Sequence, residues 1–373
     1  MLRGMNKWNT FSPNAQLCPK ARDSSLAAFD RRPVPWRRWE FQETFMPHSN
    51  RRAALALTLL ATAAGLTGFS AHAQAWPSKP VTLTVGSAAG SAPDIYARVI
   101  AEQLQRQTGG VFVVDNKPGA NGNLAAETVL RTAADGHTLL IGTQSQMTIN
   151  PSAYSNLRWK ASDFRPLVKG VESPMVLVTH PTVGAKNFAE LKSWIARHKG
   201  QAQYASFSPG TPSHFLGYQL NERLQADMVH IPYKGSSPQV TDLMAGQVPL
   251  GFTQMAVAVP QIQAGKLVPI AVTGAQRASA LAQVPTLAEL GLGDLTASVW
   301  FGVFAPAGVP RPVSDAILSA LRKAHSEAAV RAKLEAQSFE VPDESGAAFE
   351  KNLAAETAKW ARVVKATGFR AND

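Results

Sequence analysis

From residue 81 onward, short apolar runs alternate with stretches whose apolar residues recur every three or four positions. The run VTLTV at 81–85, bounded by Pro80 and Gly86, predicts a strand. Ile95, Tyr96, Val99, Ile100 and Leu104 then fall at helical spacing, and Gly109-Gly110 predicts where that helix stops. A strand follows at 111–114, then a turn-rich loop from Pro118 to Gly122, a helix near 124–133 and strands at 138–141 and 175–178. Beyond Pro181 the alternation restarts. Helices near 188–198, 211–224 and 238–245 are interleaved with strands at 203–206, 228–231, 250–253 and 268–272. The apolar stretch 299–304 is expected to return to the first half. Helices near 313–324 and 349–364 close the chain, the last with Phe349, Leu353, Trp360 and Val364 as its apolar points. This alternation predicts an α/β architecture with mainly parallel sheets flanked by helices.

Composition supports a large folded body. Of 373 residues, 45% are apolar and 17% charged, which excludes wholesale disorder and accommodates one large or two medium domains. The single cysteine, Cys18, excludes a disulfide framework, a CxxC redox site and a multi-cysteine metal centre.

Residues 1–73 do not follow the pattern. Arg51-Arg52, an uncharged run from Ala53 to Phe69 and Ala71-His72-Ala73 match the basic, apolar and cleavage regions of a signal peptide over 46–73. The run falls short of about 18 residues and contains Gly65 and Gly68, so a cleaved leader is expected rather than a membrane anchor. Arg51-Arg52 alone does not separate the Sec from the twin-arginine route. Residues 1–45 are basic and unpatterned; they read as an unstructured extension or a misplaced translation start ahead of Met46, in preference to a nucleic-acid-binding arm. Ten of the 37 Lys/Arg and four of the 26 acids lie in residues 1–73, and without them the formal charge falls from +11 to +5. No basic run remains, so no nucleic-acid partner is expected. A cysteine-free chain behind an export signal fits a bacterial periplasm.

Catalytic motifs are missing. The sequence has no GxGxxG, GxxxxGK[ST], GxSxG or HExxH, and His137, His180, His198, His214, His230 and His325 are too dispersed to mark a metal site. The expectation is a non-enzyme with no cofactor and no metal.

Two strand-to-helix turns carry more signal. GSAAGSAPD at 86–94 places Ser91 and Asp94 at capping-box spacing, with Pro93 in the first turn. SFSPGTPSH at 206–214 repeats the arrangement, with Thr211 as candidate N-cap and Pro212 as the first helical residue. A helix N-terminus offers N–H groups unpaired within the helix and about half a positive charge, and small residues let an anion come close. Two such turns in two lobes are expected to grip one carboxylate between them. Asp94 itself reads as a loop staple, because it would repel an anion. His214 reads equally as a packing residue or a ligand donor. Tyr233 reads as a turn brace, and Trp300 and Trp360 as core or interlobe residues.

Further segments recur in a recognisable order: Asp94-x-x-x-Arg98, VDNKPGANG at 114–122, DGHTLL at 135–140, Asn150-Pro151, Asp163-Phe164, the turn at 206–214, HIPYKG at 230–235, AGKL at 264–267, VPTLAE at 284–289 and APAG at 305–308. Together, from Trp76 to the C-terminus, they resemble the Bug family of extracytoplasmic solute receptors, the substrate-binding components of tripartite tricarboxylate transporters. The resemblance implies a two-lobed periplasmic binding protein of type 2, a Venus flytrap, with residues 74–178 and 300–373 in lobe 1 and 179–299 in lobe 2. It implies a monomer that closes on a small organic carboxylate, held largely by backbone N–H groups and ordered waters, and delivers it to membrane subunits of the transporter. The expected site is Ser87, Ala88, Ala89, Gly90, Ser91, Ala92 and Asp94 from the first turn, Ser206, Phe207, Ser208, Gly210, Thr211, Ser213 and His214 from the second, and Gln144, Thr253 and Gln254. Relatives read Pro-Phe-x-Pro-Gly-Gly where this chain has 86–91, so the absence of an aromatic at Ser87 implies a wider pocket or a missing lid. An acid often follows the position of Phe252 in relatives; Thr253-Gln254 here argues against an amino-acid ligand. The rival readings are a receptor that signals to a membrane histidine kinase and an enzyme on the same fold.

Overall fold

The run at 81–85 forms β1 (Val81–Val85), parallel to β2 (Phe112–Asn116) on one side and to β3 (Thr138–Thr143) on the other, in a computed structural model that describes residues 76–371. The expected extension and signal peptide, and Cys18, lie outside the described residues. Helix α1 (Ala92–Thr108) buries Tyr96, Ile100 and Leu104 and stops where Gly109 turns to a φ of 70°, its N–H on the Gln105 carbonyl. Helix α2 (Asn123–Leu130) links β2 to β3. The short α3 (Asn150–Ala153) follows β3.

Two long strands complicate this parallel plan. β4 (Phe164–Thr179) runs antiparallel to β9 (Ser298–Pro306) as far as Pro174. From Met175 onward it pairs antiparallel with β7 (Leu250–Gln254) and β8 (Val268–Val272). β9 also lies antiparallel to β3. β4 thus belongs to both lobes, and each lobe has a mixed sheet instead of the mainly parallel one expected. Chain that passes between lobes runs back against the strands it joins. In the second lobe, β5 (Gln203–Ser206) lies parallel to β6 (Val229–Pro232) and β7. Helices α4 (Phe188–Arg197), α5 (Pro212–Leu224), α6 (Ser236–Met244) and α7 (Met255–Gln263) alternate with these strands. After β9 come α8 (Arg311–Ser326), α9 (Ala328–Glu335), the two-residue β10 (Glu344–Ser345) beside β4, and α10 (Ala347–Thr367).

Helices cover both faces of the sheets, so strand residues are buried on alternate sides. Leu139, Ile141, Phe301 and Val303 pack on one face with Tyr96 and Ile100. Leu140, Trp300 and Phe304 pack on the other with Phe349 and Leu353. The first half of β4 was not expected, because Pro166, Gly170 and Pro174 interrupt it and Lys169 is buried within it. Burial alone would lower the Lys169 pKa, but Glu172 at 2.5 Å and Glu344 at 3.6 Å hold it above the usual lysine value. Helix α7 was hidden for a similar reason, since Pro260 lies inside it.

Candidate functional site

A cavity of about 320 Å³ lies where five helices begin. Its wall includes Pro93 in the first turn of α1, Gly122 at the cap of α2 and Thr211 at the cap of α5. Gly235 and Ser236 open α6, and Gln254 caps α7. Each of these helices leaves the C-terminal end of the strand before it, so α/β connectivity itself aims their N-termini at one place. Each end contributes about half a positive charge. Among the described residues Lys234 is the one charged residue in the wall, and no Asp or Glu contributes to it. Phe207, Val299, Trp300 and Phe301 supply apolar surface.

Ser87, Gln144, Phe207, Ser208, Thr211 and Gln254, among the residues expected from sequence, line this cavity. Ala88, Ala89, Gly90, Ser91, Ala92 and Asp94 do not; nor do Ser206, Gly210, Ser213, His214 and Thr253. The reason for the first group is a seam between lobes. Ser91 does not cap its own helix. Its Oγ accepts from the Ser237 N–H of α6 at 3.1 Å, while Ser236 Oγ accepts from the Ala92 N–H of α1 at 3.3 Å. Beside them the Ala88 N–H donates to the Lys234 carbonyl at 3.2 Å. Two helix starts from different lobes therefore cap each other, in place of the Ser91/Asp94 capping box. Asp94 accepts instead from the Gly90 N–H at 2.9 Å, Arg98 Nε at 2.8 Å and Asn116 Nδ2 at 2.9 Å. Burial alone would raise its pKa, but these donors hold it below the usual carboxylate range.

The second turn is braced from within. Thr211 Oγ1 donates to the Ser208 carbonyl at 2.7 Å and lies 2.9 Å from Ser213 Oγ, which accepts from the Phe207 N–H. Thr211 occupies the N-cap position of α5 without a side-chain cap bond, because its hydroxyl is spent on the turn. His214 Nδ1 accepts the Gly210 N–H at 3.1 Å. The His214 ring stacks on His230 at 3.9 Å, with Tyr204 beyond and the edge of Phe369 at its side. His230 Nε2 is 2.6 Å from Ser206 Oγ. These contacts make His214 a packing residue of this structure.

Burial pushes the His214 pKa down to about 4; burial and the neighbouring His214 push His230 down to about 3. In the unfolded chain both return to about 6.5. Their folded pKa values lie below the unfolded value, so this contribution to stability is complete above about pH 6.5 and is lost as pH falls towards 4. The melting temperature is expected to drop over that interval. His214→Gln, which keeps an acceptor for the Gly210 N–H, should flatten the drop in a series of melts from pH 7 to 4. An unchanged slope would show that the ring is not held neutral by burial.

Asn121, Tyr154, Tyr233 and Trp300 also line the cavity and were not expected there. Asn121 Nδ2 donates to Asn150 Oδ1 at 2.8 Å, and Asn150 Nδ2 returns a bond to the Asn121 carbonyl. Tyr233 braces its turn as expected, donating to Asp242 Oδ2 at 2.8 Å, yet its body faces the cavity. For Asn121 and Tyr233 the usable signal was position within the segments 114–122 and 230–235. Among the described residues no three His, Cys, Asp or Glu side chains gather to hold a metal ion, and no helix is long and apolar enough to cross a membrane.

The family model described as "Tripartite tricarboxylate transporter family receptor" matches residues 96–369. The solved structure of the periplasmic binding protein BugD is 29% identical, with a TM-score of 0.76 and a match over 80% of this chain and 100% of its own. MatC of Rhodopseudomonas palustris, with bound malate, is 28% identical, with a TM-score of 0.72 over 78% and 100% of the two chains. A second R. palustris protein, solved with adipate, is 30% identical, with a TM-score of 0.74 over 79% and 99%.

Proposed function

Since the chain belongs to the receptor family of tripartite tricarboxylate transporters, the Bug receptors, we propose that it captures a small organic carboxylate in this cavity and delivers it to the membrane subunits of such a transporter. The convergence of five helix N-termini on a wall to which, among the described residues, no acidic side chain contributes carries the reading. An anion there meets fixed backbone N–H groups and needs no arginine. The dicarboxylates in the two R. palustris structures support the same ligand class. Ser87, Ser208, Thr211 and Ser236 are the residues assigned to direct contact, Ala88, Ser91 and Ala92 act by holding the lobes together, and Asp94 braces its own turn. The lobes exchange chain near 174–179 and 297–300. The protein acts as a monomeric receptor without turnover, exported to the periplasm and cleaved after Ala73 or Ala75.

Closure around a ligand links binding to stability. A ligand at 100 times its Kd should add about 2.7 kcal/mol. A melting screen of mono-, di- and tricarboxylates is expected to raise the melting temperature with at least one acid. A shift with a sugar or a cation, and with no acid, would overturn the reading.

A further inference from the structure

Gln144 is held in one orientation. It ends β3's connection into the helical turn Ser145–Ile149, is 7% exposed and lines the cavity. Its Nε2 donates to Glu356 Oε2 of α10 at 2.9 Å. The same carboxylate oxygen accepts the Trp300 indole N–H at 2.8 Å. A carboxylate oxygen accepts and does not donate, so reversing the Gln144 amide would set oxygen against oxygen. Gln144 Oε1 is the atom left over, and it is buried without a hydrogen-bond partner among the described residues. Gln254 in the second lobe is 4% exposed, lines the same cavity and leaves its own Oε1 unpartnered.

The helix N-termini supply donors, which a carboxylate needs. The glutamine oxygens need the opposite partner, because a buried acceptor without a donor is unfavourable. An ammonium would find no acid among the described residues of the wall to neutralise it. The second carboxylate of a plain diacid would meet an acceptor at Gln144.

We propose that the ligand is a carboxylate that also carries a neutral donor, a hydroxyl or an amide N–H, received by Gln144 Oε1, and that Glu356 is the positioning residue that sets this preference. The inference rests on the carboxylate reading above. It makes selectivity depend on a contact between β3's end and the C-terminal helix, 212 residues apart in sequence.

Titration calorimetry with matched acids tests it: succinate against malate and succinamate, glutarate against 2-hydroxyglutarate and glutaramate, adipate against 3-hydroxyadipate. At least one donor-bearing acid is expected to bind about 10- to 100-fold more tightly than its parent. In Glu356→Gln the Gln144 amide is free to reverse, and that ratio should shrink towards one. In Gln144→Leu the donor-bearing acid should fall to the affinity of its parent. Parent acids that bind wild-type protein as tightly as their donor-bearing partners overturn the inference and leave the carboxylate reading standing. A ratio that survives both substitutions overturns the assignment to Gln144 and Glu356. Failure of every acid to bind defeats the carboxylate reading itself.

Discussion

Gly235→Val is expected to weaken ligand binding about 100-fold while leaving both lobes folded. Gly235 has a φ of 126°, in a region that a β-branched residue rarely adopts. A Cβ there would lie 2.5 Å from Ser91 Oγ and 3.3 Å from the Ala88 nitrogen, across the seam. Valine therefore pushes apart three hydrogen bonds of this seam: Ala88 to Lys234, Ala92 to Ser236 and Ser237 to Ser91. At about 1 kcal/mol each, their loss shifts the closed population by roughly 100-fold, and apparent affinity falls with the population that can bind. Gly265 is the control. It also has a positive φ, of 70°, but a Cβ there meets nothing within 4 Å. Gly265→Ala should cost some stability through backbone strain and leave affinity unchanged. Calorimetry with any acid that stabilises the wild type decides the matter. Native affinity in Gly235→Val would mean that the seam does not govern closure.

Gly170→Ala is expected to cost about 3 kcal/mol or more of stability. A Cβ at Gly170 would lie 1.8 Å from the Tyr96 hydroxyl and 2.2 Å from the ring carbon that bears it. Tyr96 cannot retreat, since it is fully buried and its hydroxyl lies 3.1 Å from His325 Nε2. Overpacking a close-packed core typically costs about 1–3 kcal/mol, and this contact is at the severe end. The melting temperature should fall by roughly 5–10 °C. Tyr96→Phe in the same chain should recover part of the loss, because the hydroxyl is the nearest atom. A melting temperature within about 1 °C of wild type would show that β4 does not press on Tyr96.

Much of the architecture was legible along the chain. The VTLTV run became β1, and Tyr96, Ile100 and Leu104 became the buried stripe of α1. Phe349, Leu353, Trp360 and Val364 became the buried face of α10. In each case the period of side-chain burial matches the period of the backbone, so the pattern is local. β4 escaped because its first half draws its stability from β9 and β10 rather than from its own residues. A buried Lys169 signals solvent until Glu172 and Glu344 are seen beside it.

The site divides along the same line. Small residues, prolines and candidate caps marked where α1 and α5 begin, because a helix start has hydrogen-bonding needs that its own segment announces. The segment does not announce who meets those needs. Ser91 was placed at the right helix, but its partner is Ser237 of the other lobe, since docking brings α1 against α6. Thr211 was placed at the right cap, but its hydroxyl turns to the Ser208 carbonyl. Gln144 is one glutamine among several in sequence. Its oxygen is left buried and unpartnered because Glu356, brought in by the returning C-terminal helix, holds its nitrogen. Sequence determined which backbone and side-chain groups would need partners; the crossing of β4 and β9 between the lobes decided which groups were near enough to serve.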